Sequence, residues 1–115
     1  MEKITNLTFL EKFSGGDKTR IKKYVDMYLK TAAQQITMVE ESATQQNWPQ
    51  LKTAAHTLKS QVAYMGMTAA QELLKSLEEH AMNQHGLEQV PEKVTLVKSM
   101  ISQSENELRS FLAEN

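Results

Sequence analysis

The sequence predicts an all-α protein: an antiparallel up-down-up-down four-helix bundle with an additional short N-terminal helix. Three observations carry that expectation. Apolar residues recur at steps of three and four through most of the chain, nothing alternates with the period of two that a half-buried strand requires, and the connections between periodic segments are short. Short connections favour antiparallel neighbours, and antiparallel neighbours in series close into a bundle.

The segment from Ile4 to Phe13 carries Ile4, Leu7, Phe9, Leu10 and Phe13 and ends at Ser14-Gly15-Gly16, which reads as a short helix and its stop. Asp17 is a good N-cap for a helix of close to seven turns, with Ile21, Val25, Tyr28, Ala32, Ile36, Val39 and Ala43 on its apolar stripe. The polar run Thr44 to Asn47 leads into Trp48-Pro49. Asn47 can cap there, and a proline is tolerated because first-turn amides have no partner within a helix. A third helix therefore starts at Trp48, whose indole is expected to plug one end of the bundle. It runs to about Met65 and stops at Gly66, the residue type that enters the left-handed region most cheaply.

Thr68 with Gln71 reads as a capping-box start for a fourth helix bearing Ala70, Leu73, Leu74, Leu77 and Ala81, closed by Asn83 to Gly86. Val90-Pro91 opens the last helix, whose Val94, Val97, Ile101, Leu108 and Leu112 keep the helical step. The first short helix is then expected across one end of the bundle.

The chain of 115 residues is expected to form one domain over residues 1–115, large enough for a core without metal or disulfide support. Its formal charge of −1, with 23% charged residues, offers no basic field of the kind that holds nucleic acid. There is no cysteine, hence no disulfide framework and no thiolate metal site. No apolar run approaches the roughly 20 residues of a membrane span, and the start does not read as a signal peptide, so a soluble cytoplasmic protein is expected.

Few residues could carry chemistry. Gly15-Gly16 follow no strand and lack the lysine-serine pair of a phosphate loop, so a plain turn is expected. His80 and His85 are five apart, which a continuous helix would set about 140° from each other, and a solvated face is the expected reading. Glu40-Glu41 and Glu78-Glu79 are adjacent pairs that diverge by about 100° on a helix, which suits surface charge and not a shared substrate. Phe9, Phe13, Tyr24, Tyr28 and Phe111 fall on or beside the apolar stripes and are expected in the core. Leu7 and Leu10 are candidates for an apolar face left free for a partner.

His56 remains. On a wheel wound from Leu51, the residues Leu51, Ala54, Ala55, Leu58, Val62 and Met65 share one stripe, and His56 points about 140° away from its centre. Lys52, Thr53, Lys59, Ser60 and Ala63 surround it at helical-neighbour positions, so the imidazole is expected to face water. A free imidazole titrates at about pH 6.5, so at neutral pH one ring nitrogen keeps a free lone pair.

The run His56-Thr57-Leu58-Lys59-Ser60 with Gly66 resembles the H-x-L-K-G-[SA] motif, and the glycine ten positions after the histidine, of the histidine-containing phosphotransfer domains of two-component phosphorelays. Asn47-Trp48 to Leu51, Ala55, Leu73, Leu77 and Glu78 are similar to that family's pattern too. The resemblance implies that His56, through Nε2, accepts a phosphoryl group from one receiver aspartate and passes it to another. It implies that Lys59 neutralises charge on the transferred group and that Glu78 orients His56 by bonding its far ring nitrogen. Ser60 and Ala63 would be the small residues that admit a partner, with Lys52 and Thr53 beside them, and Gly66 the turn that lets the next helix pack.

Two positions depart from the family pattern. Ser60 replaces the usual glycine, and Gln61 replaces a small residue but lies about 140° from His56, away from the phosphate. The partners implied are response-regulator receiver domains and a hybrid sensor histidine kinase, with magnesium supplied by the receiver and no cofactor bound by this chain. No nucleotide-binding domain fits in a chain already used by helices, so autophosphorylation is not expected, and a monomer is the default. A kinase dimerisation domain fits less well, since Thr57 stands where such domains carry an acidic residue. The alternative from another class is a non-catalytic interaction module that binds a receiver without exchanging phosphate.

Overall fold

The computed structural model describes residues 3–114. They form α1 (Thr8–Phe13), α2 (Lys18–Thr44), α3 (Trp48–Tyr64), α4 (Thr68–Asn83) and α5 (Val90–Glu114), with one 3₁₀ turn at Leu87–Gln89 before α5. No strand occurs among the described residues. The 27 residues of α2 span about 40 Å at 1.5 Å each, nearly the 43 Å long axis of the molecule. Links of a few residues therefore reverse the chain at each end. Neighbours pack in a ring, α2 on α3, α3 on α4, α4 on α5 and α5 on α2, which is the four-helix bundle.

The stripes predicted from periodicity are the core. Leu51, Ala54, Ala55, Leu58, Val62 and Met65 of the third segment are all buried, and they meet Val25, Tyr28, Ala32 and Val39 of α2, Leu74 and Leu77 of α4, and Val97, Ile101 and Leu108 of α5. Trp48 packs partly buried against that core at one end. Deep inside, the Tyr28 hydroxyl lies 2.8 Å from Ser104 Oγ. The Tyr28 hydroxyl also lies 3.3 Å from Met67 Sδ. Burial pushes the Tyr28 phenol up to about 12 against the opposing pull of the Ser104 hydroxyl, and the ring stays neutral.

The expected caps form at α2 and α3. Asp17 Oδ1 accepts from the Thr19 amide at 2.9 Å and the Arg20 amide at 3.3 Å, and Asn47 Oδ1 accepts from the Gln50 amide at 3.3 Å. Gly66 ends α3 in the left-handed region at φ 67°. The Gly66 amide donates to the Ala63 carbonyl and the Met67 amide to the Val62 carbonyl, the paired bonds of a Schellman turn.

Two expectations at helix starts are corrected. The capping box at Thr68 and Gln71 does not form: Met67 is the N-cap, without a side-chain cap bond, and Thr68 is already helical. The turn at Gly66 and the complete burial of Met67 fix the register one residue earlier than side-chain capping would. The N-terminal helix begins at Thr8 and not at Ile4. Ile4 and Thr5 instead donate their amides to the Glu107 carboxylate of α5 at 2.8 to 3.1 Å. The Asn6 amide donates to the Met65 carbonyl at 2.8 Å, while Asn6 Oδ1 accepts from the Thr8 amide at 3.0 Å. These tertiary acceptors hold the segment extended across the α3–α4 turn. Burial raises the Glu107 carboxyl, but the amides of Ile4 and Thr5 and the Thr5 hydroxyl outweigh it and hold it below the usual glutamate range.

Candidate functional site

α3 faces inward with its apolar stripe, so its opposite side is presented to water. His56 stands there with 64% of its side chain exposed, as the wheel predicts. Glu78 reaches it from α4, where Leu74 and Leu77 bury the helix against the core. Glu78 Oε2 lies 2.7 Å from His56 Nδ1, and Glu78 Oε1 accepts from Lys59 Nζ, also at 2.7 Å. The structure thus brings together three of the predicted site residues around one carboxylate that is only 15% exposed.

The charge on that carboxylate follows from its partners. Burial raises the Glu78 carboxyl, yet hydrogen bonds and positive charge from Lys59 and His56 outweigh burial and leave it below the usual range. At neutral pH an ionised Glu78 can only accept, so the proton of a neutral His56 ring sits on Nδ1 and the lone pair on Nε2. The outward nitrogen carries the free lone pair. Lys59 spends one of its three N–H donors on Glu78 and is a quarter exposed, which leaves donors for an anion arriving at His56.

Around the imidazole, Lys52, Thr53 and Ser60 are exposed and Ala63 is partly so. The Thr53 hydroxyl donates to the Pro49 carbonyl at 3.1 Å, which leaves it only acceptor capacity toward a partner. Gly66 lies where a Cβ would come 2.2 Å from the Asn6 carbonyl oxygen, so its missing side chain admits the N-terminal segment as well as the turn.

One N-terminal docking candidate is corrected: Leu10 is fully buried, because it occupies the inward side of a helix of under two turns laid across the bundle end. Leu7, just before that helix, is partly buried against the core. Phe9 and Phe13, expected in the core, are 49% and 57% exposed. Phe9 stacks on Phe13 with ring centroids 5.9 Å apart and tilts against Tyr64 at 5.7 Å, while Phe13 meets the edge of Tyr24 at 5.7 Å. With exposed Met27 they form an apolar patch two turns along α3 from His56. Six residues of helix carry too little periodicity to tell Leu10 from Phe9. Tyr28 is buried as expected, and Tyr24 and Phe111 partly so.

α4 ends at Asn83, between the other two histidines. His80 Nδ1 donates to the His85 carbonyl at 2.7 Å, and Lys93 Nζ donates to His80 Nε2 at 2.8 Å and to Ser76 Oγ at 2.6 Å. His80 is therefore a half-buried brace between α4 and α5 more than a solvated residue. Among the described residues no three His, Cys, Asp or Glu side chains gather as a metal site.

A family model for the Hpt domain matches residues 23–107 of the chain, which span α2 to α5 and contain His56, Lys59 and Glu78. The chain belongs to the Hpt domain family. This Hpt domain is a phosphorelay intermediate of two-component signalling, a setting in which Hpt domains interact with receiver domains and histidine kinases. Solved structures show the same fold. Histidine-containing phosphotransfer protein B (HptB) from Pseudomonas aeruginosa PAO1 superposes with a TM-score of 0.88 at 13% identity, covering 100% of this chain and 99% of that one. The HPT domain of a sensor hybrid histidine kinase from Shewanella gives 0.84 at 13% identity, covering 97% and 96%. Comparison of the sequence with curated proteins finds no match. No helix among the described residues is long and apolar enough to cross a membrane.

Proposed function

We propose that His56 is the phosphoryl acceptor of this Hpt domain and that it reacts through Nε2. The observation that supports this most directly is the Glu78 carboxylate 2.7 Å from Nδ1, which leaves the lone pair on the exposed nitrogen. The Nε2 lone pair forms a bond to phosphorus as the bond from phosphorus to a receiver's aspartate oxygen breaks, and its electron pair leaves on the aspartate carboxylate. With a proton on Nδ1 and phosphorus on Nε2 the ring is cationic, and Glu78 offsets that charge. Lys59 meets the phosphoryl oxygens with its remaining donors. The reverse step, to the aspartate of a second receiver, returns Nε2 to its starting state. Transfer of this kind asks the protein for in-line positioning and charge neutralisation and little else.

Magnesium belongs to the receiver in this reading, and this chain binds no cofactor of its own. A hybrid sensor histidine kinase supplies the first receiver, and Lys52, Thr53, Ser60 and Ala63 form the shallow surface on which receivers dock. The domain acts as a cytoplasmic monomer, without nucleic acid. Mixing it with a receiver carrying a radiolabelled aspartyl phosphate should move acid-labile label onto the wild-type chain and none onto His56→Gln, whose melting temperature should be unchanged. Label on His56→Gln would overturn the assignment. A wild-type chain that binds the receiver yet gains no label would instead be an interaction module without transfer.

A further inference from the structure

Met82 stands one helical turn beyond Glu78 on α4, and it is 54% exposed. Residues four apart share a helix face, with Cβ atoms about 5–6 Å from each other, so Met82 lies beside the carboxylate that touches both His56 and Lys59. Leu74, Leu77 and Ala81 take the inward side of α4, which turns the Glu78–Met82 side outward along α3. Because the two helices run antiparallel, Lys52, one turn before His56, comes opposite Met82, one turn after Glu78. The rest of this rim is polar: Lys52, Lys59 and Ser60 on α3, and Lys75 and Glu79 on α4. Among the described residues, Met82 is the only large apolar side chain within one turn of His56 or Glu78 that water reaches.

Its position is fixed although it lies in the last turn of α4, where helices commonly fray. The Gln84 amide donates to the His80 carbonyl, His80 Nδ1 donates to the His85 carbonyl at 2.7 Å, and Lys93 Nζ donates to His80 Nε2 at 2.8 Å from α5. A Cβ on Gly86 would come 2.8 Å from the His80 ring, so the link after α4 closes directly on that ring. The brace leaves Met82 on a rigid edge of the site.

A receiver that exchanges phosphate with Nε2 must bring its aspartate to that nitrogen. A stable complex covers about 800 Å² on each partner, a disc of about 16 Å radius, and Met82 is only about 6 Å along α4 from Glu78. We propose that Met82 is a specificity-determining residue for the receiver partner: it packs against an apolar side chain that the receiver carries beside its phosphoryl-bearing aspartate. The proposal rests on the reading that His56 exchanges phosphate with receivers. Methionine bends to fit more than one apolar surface, which suits a domain that meets a donor and an acceptor in turn. A receiver with lysine or arginine at that point presses a cation onto an apolar side chain with Lys52 opposite, and is discriminated against.

The test compares two routes of phosphorylation. One uses the ³²P-labelled receiver domain that serves the wild-type chain best among those of the same genome. The other uses phosphoramidate, a small donor that needs no docking surface. Met82→Gln keeps the length and helix propensity of the side chain and removes its apolar end. It should raise KM for the receiver about three- to tenfold and leave kcat, phosphoramidate labelling and the melting temperature unchanged, while Met82→Leu keeps the wild-type KM. Leu96→Gln, at an exposed apolar residue of α5, should leave the receiver KM unchanged. An unchanged KM in Met82→Gln, or an equal rise in Leu96→Gln, would overturn the proposal while leaving His56 as acceptor. A lower melting temperature with both routes slowed would make Met82 a packing residue and overturn it as well. Failure of both donors to label wild-type His56 would overturn the underlying reading, and the proposal with it.

Discussion

Replacing Gly66 with alanine imposes two separable penalties. At φ 67° an alanine pays the left-handed penalty of about 1–2 kcal/mol. The added Cβ also falls 2.2 Å from the Asn6 carbonyl oxygen and 2.8 Å from Asn6 Cβ, where ordinary contact begins at 3.4 Å, so Asn6 must retreat by about 1 Å. It cannot do so freely. Its amide is bonded to the Met65 carbonyl, and the preceding amides are held by Glu107. Losing the Asn6 bond adds about 1 kcal/mol, for a total of about 2–3 kcal/mol. Urea unfolding followed by circular dichroism measures it. In a chain that begins at Thr8 the obstacle is absent, and the same substitution should cost only the left-handed penalty. Equal costs in the two chains, or a full-chain cost below about 1 kcal/mol, would refute the contact between Gly66 and the N-terminal segment.

Further outcomes follow from the same geometry. Lys59→Ala should slow phosphotransfer from a receiver by about tenfold or more while lowering stability by no more than about 1 kcal/mol, read from stopped transfer reactions and thermal melts; an unchanged rate removes Lys59 from the chemistry. Leu10→Ala, at a fully buried site, should cost about 2–4 kcal/mol, whereas Phe13→Ser should cost less than about 1 kcal/mol and weaken receiver binding. Reversal of that order would restore Leu10 as a docking residue. Glu78 and Glu107 both lie below their ordinary value of 4.5 in the folded protein. The unfolded chain then binds more protons as pH falls below about 4.5, so the stability they confer is complete above that value and lost on further acidification. Urea midpoints at pH 7 and pH 3.5 should differ less in Glu107→Gln than in wild type.

Periodicity carries the long helices well because seven turns or four turns of apolar repeat leave one inward face, and burial of Leu51, Ala54, Ala55, Leu58 and Val62 matches it residue by residue. The exposure of His56 comes from the same pattern. Glu78 entered through the family resemblance alone: its partners lie 22 and 19 positions away on another helix, and no local rule links them. The N-terminal segment failed for a related reason. Ile4 and Thr5 look helical by spacing, but their amides find Glu107 more than 100 residues later. Phe9 and Leu10 exchanged roles because under two turns of helix leave no pattern to read, and Thr68 lost its cap to the buried Met67 beside it.

His56 and Lys59 ride on α3, while the carboxylate that joins them rides on α4. The 2.7 Å bonds therefore gauge the spacing of two helices. A slide of α4 by 1 Å, from a cavity at Leu58 or Leu77 far beneath the surface, would release the Nδ1 proton from its acceptor without disturbing any residue that touches phosphate. The ¹⁵N shifts of the His56 ring would then report on the bundle interior, and substitutions never in contact with a partner could tune how readily this domain gives up its phosphoryl group.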